Sequence, residues 1–514
     1  MRNRKTASHF AVGLAAASLL TLTPAISSAA SDAPVAKDPL RQYTQQKLRW
    51  QRCNTANPAT FQCATVKVPL DYSDLDGKKL DLAISRLKAS STKQRRGVLL
   101  LNPGGPGGPG LDLPVAPELR LPGDVKSRYD LIGFDPRGIG QSSPLSCGLT
   151  EDEQNFEHPY KAGTFAKDVT WARTVADKCR ARNGDALPHF TTRNTARDMD
   201  VIRAALGERK ISYLGYSYGT YLGAVYTQMF PRRTDRFVLD SAADPTRFGR
   251  GTFQAMAEGA EAAFTRWSEW TAQRHTAYRL GNTPAEVRRT FWDLVARANR
   301  RPLTDSDGRL LTGDALRVEE RPTFFHVRKA AERIAELKKA AEGGRSAASG
   351  TPGRRLDAVP PASVRGVPSD NEAAGMWAVM CTNPLAWPRD PGQYRRDAIR
   401  DGARYPLYGD VASTIMPCAF WTAGSEPETR VNNGVSLLIL QNAWDPQTPL
   451  PSGQAMHRAL HGSRMVTAAG GEGHGIYGID GTSTCAKKNA TAYLTTGKLP
   501  AKDLTCPAST EQKT

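Results

Sequence analysis

Three residues carry the chemistry most legible in this chain: Ser217, Asp445 and His474, in that order and far apart in sequence. Ser217 lies between glycines in Gly215-Tyr216-Ser217-Tyr218-Gly219. It follows the β-branched and aromatic run Ile211 to Leu214 and precedes an apolar helical pattern from Thr220 to Met229. A serine where a strand turns sharply into a helix is lifted clear of the sheet edge, because small neighbours permit a strained turn. Its hydroxyl is a weak nucleophile near neutral pH, so it needs a base, and the base needs an orienter. His474, in Gly473-His474-Gly475, and Asp445, in Trp444-Asp445-Pro446-Gln447, follow separate strand-like runs, Arg464 to Thr467 and Val435 to Gln441. The expected roles are proton transfer for His474 and control of its tautomer for Asp445. Covalent attack also develops an oxyanion that needs two N–H donors. Tyr218, the residue after the nucleophile, supplies one, and the glycine run Gly104 to Gly110 supplies the other, with Gly105 the best candidate.

Rival assignments are weaker. His457 and His461 are spaced i, i+4 inside a helical pattern, which suits a solvated face better than a base or a metal pair. Glu472, two residues from His474, reads as a loop charge rather than an orienter. No CxxC or HExxH spacing is present, and no lysine follows the glycine run, so neither a metal centre nor a phosphate loop is expected, and no cofactor.

These residues need a scaffold that delivers them to one rim. The continuous apolar run Gly97 to Leu101 leads into Asn102-Pro103-Gly104-Gly105-Pro106-Gly107-Gly108-Pro109-Gly110, and Asp130 to Phe134 leads into Asp135-Pro136-Arg137-Gly138. A helix is expected from about Thr195, capped reciprocally by Asp198, to Gly207. A further strand spans Arg236 to Leu239. Strands alternating with helices indicate an α/β fold, a mostly parallel, doubly wound sheet whose ligands sit beyond the C-terminal strand ends. Cys63 to Leu87 alternates as an antiparallel lead-in hairpin with Asp76-Gly77 at its turn. The expected organisation is 31–245 and 421–514 as the two parts of the α/β core, with 246–420 inserted as a mainly helical cap. Within the cap, Gly343 to Pro368 reads as a mobile loop.

Arg2, Arg4 and Lys5 followed by the apolar Phe10 to Leu22 and Ser28-Ala29-Ala30 read as a signal peptide cleaved near residue 30, hence a secreted protein. The eight cysteines then fall in an oxidising compartment, where disulfides are expected. Pairing in sequence order (Cys53–Cys63, Cys147–Cys179, Cys381–Cys418, Cys485–Cys506) is the simplest arrangement because each span is local, although spacing leaves connectivity open. With the three basic residues of the leader removed, the 69 Lys and Arg become 66 against 51 acids, about +15. The charge is diffuse and carries no nucleic-acid-reading motif, so adsorption to anionic cell-wall polymers fits it better.

Taken together, these motifs resemble the secreted tripeptidyl aminopeptidases of bacteria, relatives of the proline iminopeptidases within the α/β-hydrolases. The resemblance spans nearly the whole mature chain. It rests on Cys63, Val68-Pro69-Leu70-Asp71-Tyr72, Asn102 to Gly108, Gly133-Phe134-Asp135-Pro136-Arg137-Gly138 and Asn194-Thr195-Ala196-Arg197-Asp198. It continues through the serine elbow with Gly219-Thr220-Tyr221-Leu222-Gly223, Asp445 with Thr448-Pro449, and Gly473-His474-Gly475. It implies a serine exopeptidase taking short peptides, typically tripeptides, from free N-termini of peptides or proteins, with the cap closing one end of the cleft. Near Cys381 that family tends to carry flanking acids, whereas this chain has Met380 and Asn383. If such acids hold the substrate amine, Glu319, Glu320, Asp370 or Glu372 must serve here. The same triad also suits an esterase or a proline iminopeptidase, and a non-catalytic cell-wall-binding protein is a third, weaker reading.

Overall fold

Strand Gly97–Asn102 is buried along its whole length, which dictates a position inside a sheet covered on both faces. In the computed structural model, which describes residues 39–305, 308–343, 366–382, 386–479 and 483–507, Val98 and Leu100 join one hydrophobic cluster and Leu99 and Leu101 the other. The strands, in chain order, are β1 (Gln51–Arg52), β2 (Phe61–Pro69), β3 (Lys79–Leu87), β4 (Gly97–Asn102), β5 (Tyr129–Phe134), β6 (Ile211–Tyr216), β7 (Thr234–Asp240), β8 (Leu303–Thr304), β9 (Leu310–Leu311), β10 (Leu438–Trp444), β11 (Arg464–Glu472) and β12 (Leu504–Cys506). Ten of them form one sheet in the order β1-β2-β3-β5-β4-β6-β7-β10-β11-β12, and β8 and β9 form a separate ribbon. From β5 to β12 every pairing is parallel, and β1, β2 and β3 join antiparallel. This is the α/β-hydrolase architecture that the motifs imply.

Several local expectations shift. The helix expected from Thr195 begins at Thr192, with Thr191 accepting the N–H of Asn194. Asp198 is no cap. It is buried and holds the equally buried Arg137 through two hydrogen bonds, at 2.7 and 2.6 Å. The strand expected at Val435 to Gln441 lies three residues later, because Asn433 folds back on the Val435 N–H and bridges to Leu460. Asp445 therefore abuts the strand directly. The four disulfides join the cysteines in sequence order.

Between β7 and β10 the described residues add no strand to the main sheet. They form the helices Arg250–Ala272, Pro284–Arg300, Gly313–Glu320, Val327–Ala341, Asn371–Met380 and Pro391–Arg404, with the β8–β9 ribbon. Phe253, Phe264 and Trp267 of the first helix belong to the same hydrophobic cluster as Val98 and Leu100. Leu40–Thr514 forms one compact unit. No described helix is long and apolar enough to cross a membrane. The leader 1–30, residues 344–365 of the expected mobile loop, and Asn383 lie outside the described residues.

Candidate active site

β6 ends at Tyr216 and the helix Tyr218–Met229 starts two residues later, leaving Ser217 alone at the corner with φ 55° and ψ −124°. A non-glycine residue at positive φ is strained and persists only where its surroundings hold it. Here the Ser217 N–H donates to the Asp240 carbonyl at 3.1 Å, which continues the β6–β7 ladder into the turn. The flanking glycine explains itself by crowding: a Cβ on Gly219 would lie 2.6 Å from Asn102 Oδ1. Ser217 is the one residue from 211 to 220 that is not buried; it is partly accessible, whereas its neighbours are hidden.

The glycine loop after β4 packs against that corner. A Cβ on Gly104 would sit 2.4 Å from the Tyr216 carbonyl oxygen, 2.9 Å from Ser217 Cβ and 3.2 Å from the Tyr218 nitrogen. The Gly104 N–H is spent on Asn102 Oδ1 at 3.1 Å, whereas the Gly105 N–H has no acceptor among the described residues. The Tyr218 N–H, first of its helix, has no intrahelical carbonyl to reach. Asp135, buried at the end of β5, fixes the far end of the loop. Its Oδ1 accepts the N–H groups of Gly110 and Leu111 at 2.9 Å, and its Oδ2 that of Gln141 at 2.8 Å. Burial pushes this carboxyl up to about 6 against those three bonds.

Asp445 and His474 meet as expected. The imidazole Nδ1 lies 2.8 and 2.9 Å from the two carboxylate oxygens of Asp445. Asp445 is wholly buried, and its Oδ1 also accepts the N–H groups of Gln447 and Thr448 at 2.9 Å. With Nδ1 committed to the carboxylate as a donor, Nε2 is left as the basic nitrogen. Glu472 is excluded as orienter, because its carboxylate binds Arg266 at 2.6 Å and faces His326 at 3.6 Å. Burial works against its charge, but His326 and Arg266 hold it below the usual value. His457 is excluded as base. Its Nδ1 bonds Ser463 Oγ at 2.6 Å and its Nε2 bonds Asp503 at 3.0 Å, a pairing at the opposite end of β11.

Three of the four acids considered for the substrate amine are occupied. Asp370 is buried, and its Oδ2 accepts the N–H groups of Cys147 and Leu149 at 2.8 and 3.0 Å. Glu320 is buried against Arg333 at 3.0 Å, and Glu319 pairs with Arg309 at 3.2 Å. Glu372 makes no ion pair or side-chain hydrogen bond among the described residues. It is solvent-accessible in the first turn of Asn371–Met380, yet crowded enough that desolvation holds its carboxyl above the ordinary value. Its own carbonyl packs on the glycine loop, 2.6 Å from where a Gly107 Cβ would stand. Met380 is buried. Among the described residues no group of His, Cys, Asp and Glu is arranged to hold a metal.

The sequence reading missed the residues that hold these loops: Asn102, Asp240, Asn371 and Asn442. All four are buried; Asn102, Asp240 and Asn442 each follow an apolar strand run, the signal that marks them, whereas Asn371 opens a helix and carries no such mark.

Comparisons with known proteins agree with this architecture. The family described as alpha/beta hydrolase fold matches residues 97–306, and the one described as TAP-like protein matches residues 405–506. A tripeptidyl aminopeptidase of Streptomyces lividans is 35% identical over 479 residues, which cover 89% of this chain and 86% of the relative. Serine protease Hip1 of Mycobacterium tuberculosis is 29% identical over 90% of this chain and 91% of its own. Carboxylesterase B of the same species is 29% identical over 96% of each. The chain belongs to the tripeptidyl aminopeptidase family of α/β-hydrolases and is a serine peptidase.

Proposed function

We propose that this protein is an exported exopeptidase that releases short peptides, tripeptides by family likeness, from free N-termini through an acyl-enzyme on Ser217. The observation that carries the reading is the strained, partly accessible serine beside two N–H donors, on a sheet rim that also presents an Asp445-oriented imidazole. In the proposed cycle Ser217 Oγ attacks the scissile carbonyl carbon and its proton passes to His474 Nε2. The carbonyl oxygen, now negative, faces the N–H groups of Tyr218 and Gly105. Collapse breaks the C–N bond, and the leaving amine takes the proton from His474. Water, deprotonated by the same imidazole, then attacks the acyl carbon and restores Ser217.

Specificity for a free N-terminus requires an acid, because a desolvated ammonium needs a carboxylate partner. Glu372 is the candidate that remains uncommitted, on the helix that packs over the glycine loop. Residues 246–420 are read as the cap that closes this end of the cleft. The leader and the four disulfides support export to an oxidising compartment. The net positive charge supports retention on anionic wall polymers. The likeness to a carboxylesterase favours one second reading, an esterase using the same triad.

Free and N-acetylated tripeptide amides of a chromogenic amine discriminate between them. Cleavage of the free form should be faster by roughly 100-fold or more, the worth of an unpaired desolvated charge. Equal rates would exclude the exopeptidase reading and leave the esterase.

A further inference from the structure

β7 ends at Asp240, between the strand leading to Ser217 and the strand leading to Asp445. Asp240 and its neighbour Ser241 bond to Ser217, to the strand that leads to Asp445 and to the loop that carries His474. The Asp240 carbonyl accepts the Ser217 N–H at 3.1 Å, and the Ser241 N–H donates to Leu440 of β10 at 2.9 Å. The Asp240 carboxylate, with no solvent exposure, accepts the N–H of Ile476 at 3.1 and 3.0 Å and that of Tyr477 at 2.6 Å. Ser241 Oγ accepts the Gly475 N–H at 2.8 Å. From β10, Asn442 Nδ2 donates to the carbonyls of Gly473 and Gly475 at 2.9 and 3.1 Å. The loop carrying His474 is thus gripped by its N–H groups on one side and by its carbonyls on the other.

Two of these three clamps, Ser241 and Asn442, are neutral. A neutral side chain at 240 would also accept an amide hydrogen, without the cost of burying a charge. Among the described residues no Lys or Arg pairs with Asp240. The titratable groups that face it are His474 and Tyr477 on the clamped loop, Asp445 beyond β10 and Tyr216 on β6. Of these, only the imidazole becomes cationic during the proposed cycle. We infer that Asp240 is a positioning residue for His474: it fixes the loop that presents the imidazole, and its charge stabilises the imidazolium formed when Ser217 is deprotonated. The inference rests on the triad reading above.

Burial pushes the Asp240 carboxyl up to about 7. The bonds from Tyr477 and Ile476 and the proximity of His474 pull the other way, and Asp445 adds to the rise. The charge is therefore present above about pH 7 and lost below it.

Asp240→Asn keeps the shape and removes the charge. In the mature protein, kcat on a tripeptide anilide should fall about tenfold with KM within twofold, and the acid limb of kcat/KM should move about half to one unit lower, since the imidazolium loses a favourable neighbour. A kcat within twofold and an unmoved limb would overturn the inference. Should the variant fail to fold, the wild type serves. The downfield imidazole proton resonance, identified by its loss in His474→Gln, should follow two ionisations, and a one-proton titration would overturn the proposal. Undiminished turnover in Ser217→Ala would instead sink the triad reading itself, so the two failures are separable.

Discussion

Strand β11 separates two serine–histidine–aspartate sets. Beyond its C-terminal end stands His474 with Asp445, on the rim that carries Ser217. At its N-terminal end Ser463 Oγ bonds His457 Nδ1, and His457 Nε2 bonds Asp503. By residue type the two are alike, but the ring nitrogens are exchanged: Nδ1 of His474 faces its carboxylate, whereas Nδ1 of His457 faces its serine. They differ also in placement. Ser463 is fully buried and leads into a strand, and its imidazole hands the other nitrogen to a half-exposed carboxylate. Ser217 sits partly accessible at a strained corner, with a helix amide behind it and a glycine loop beside it. Under the proposed function, the reactivity of a hydroxyl rests on the backbone geometry around it and on the amides aimed at the charge it will create. A serine, a histidine and an aspartate in a row do not suffice.

The contrast breaks down if the wrong set proves essential. Ser217→Ala should lower kcat by about 10⁴- to 10⁶-fold and abolish fluorophosphonate labelling, measured on the purified protein. Gly104→Ala sharpens the role of the loop, because the added methyl would press on the Tyr216 carbonyl and on Ser217 Cβ. Its kcat should fall by roughly 10²- to 10³-fold, with the fold intact by circular dichroism. His457→Ala is the smallest effect. Turnover should stay within twofold, and unfolding free energy should drop by about 0.2–1 kcal/mol, the worth of a partly exposed pair. A large loss of activity in His457→Ala would overturn the comparison.

Much of this rim was legible in the chain because its signals are local. The elbow is one pentapeptide with a strand before it and a helix after it, and the glycine run announces a close backbone approach. The disulfides pair over short spans for the same reason. What sequence did not disclose depends on partners far along the chain. Asp370 reads as a candidate partner for the substrate amine until Cys147 and Leu149 present their amides to it. Asp198 reads as a helix cap until Arg137 arrives from a separate loop, and Asp240, just past the expected strand Arg236 to Leu239, carries no reading until residues 476 and 477 fold onto it. Acids are ambiguous in sequence because a carboxylate can serve as cap, latch, ion-pair partner or ligand, and only its neighbours decide.

The latch at Asp370 and Asn371 fixes the helix Asn371–Met380 against the loops that follow β4 and β5. Asn371 accepts the Gly140 N–H at 2.8 Å and donates to the carbonyls of Gly138 and Leu145 at 2.8 and 2.7 Å. The next turn of that helix presses on Gly107, and the Cys381–Cys418 bridge ties down its far end. To swing this helix outward would pull the glycine loop away from Ser217, so turnover should survive any crosslink confined to it.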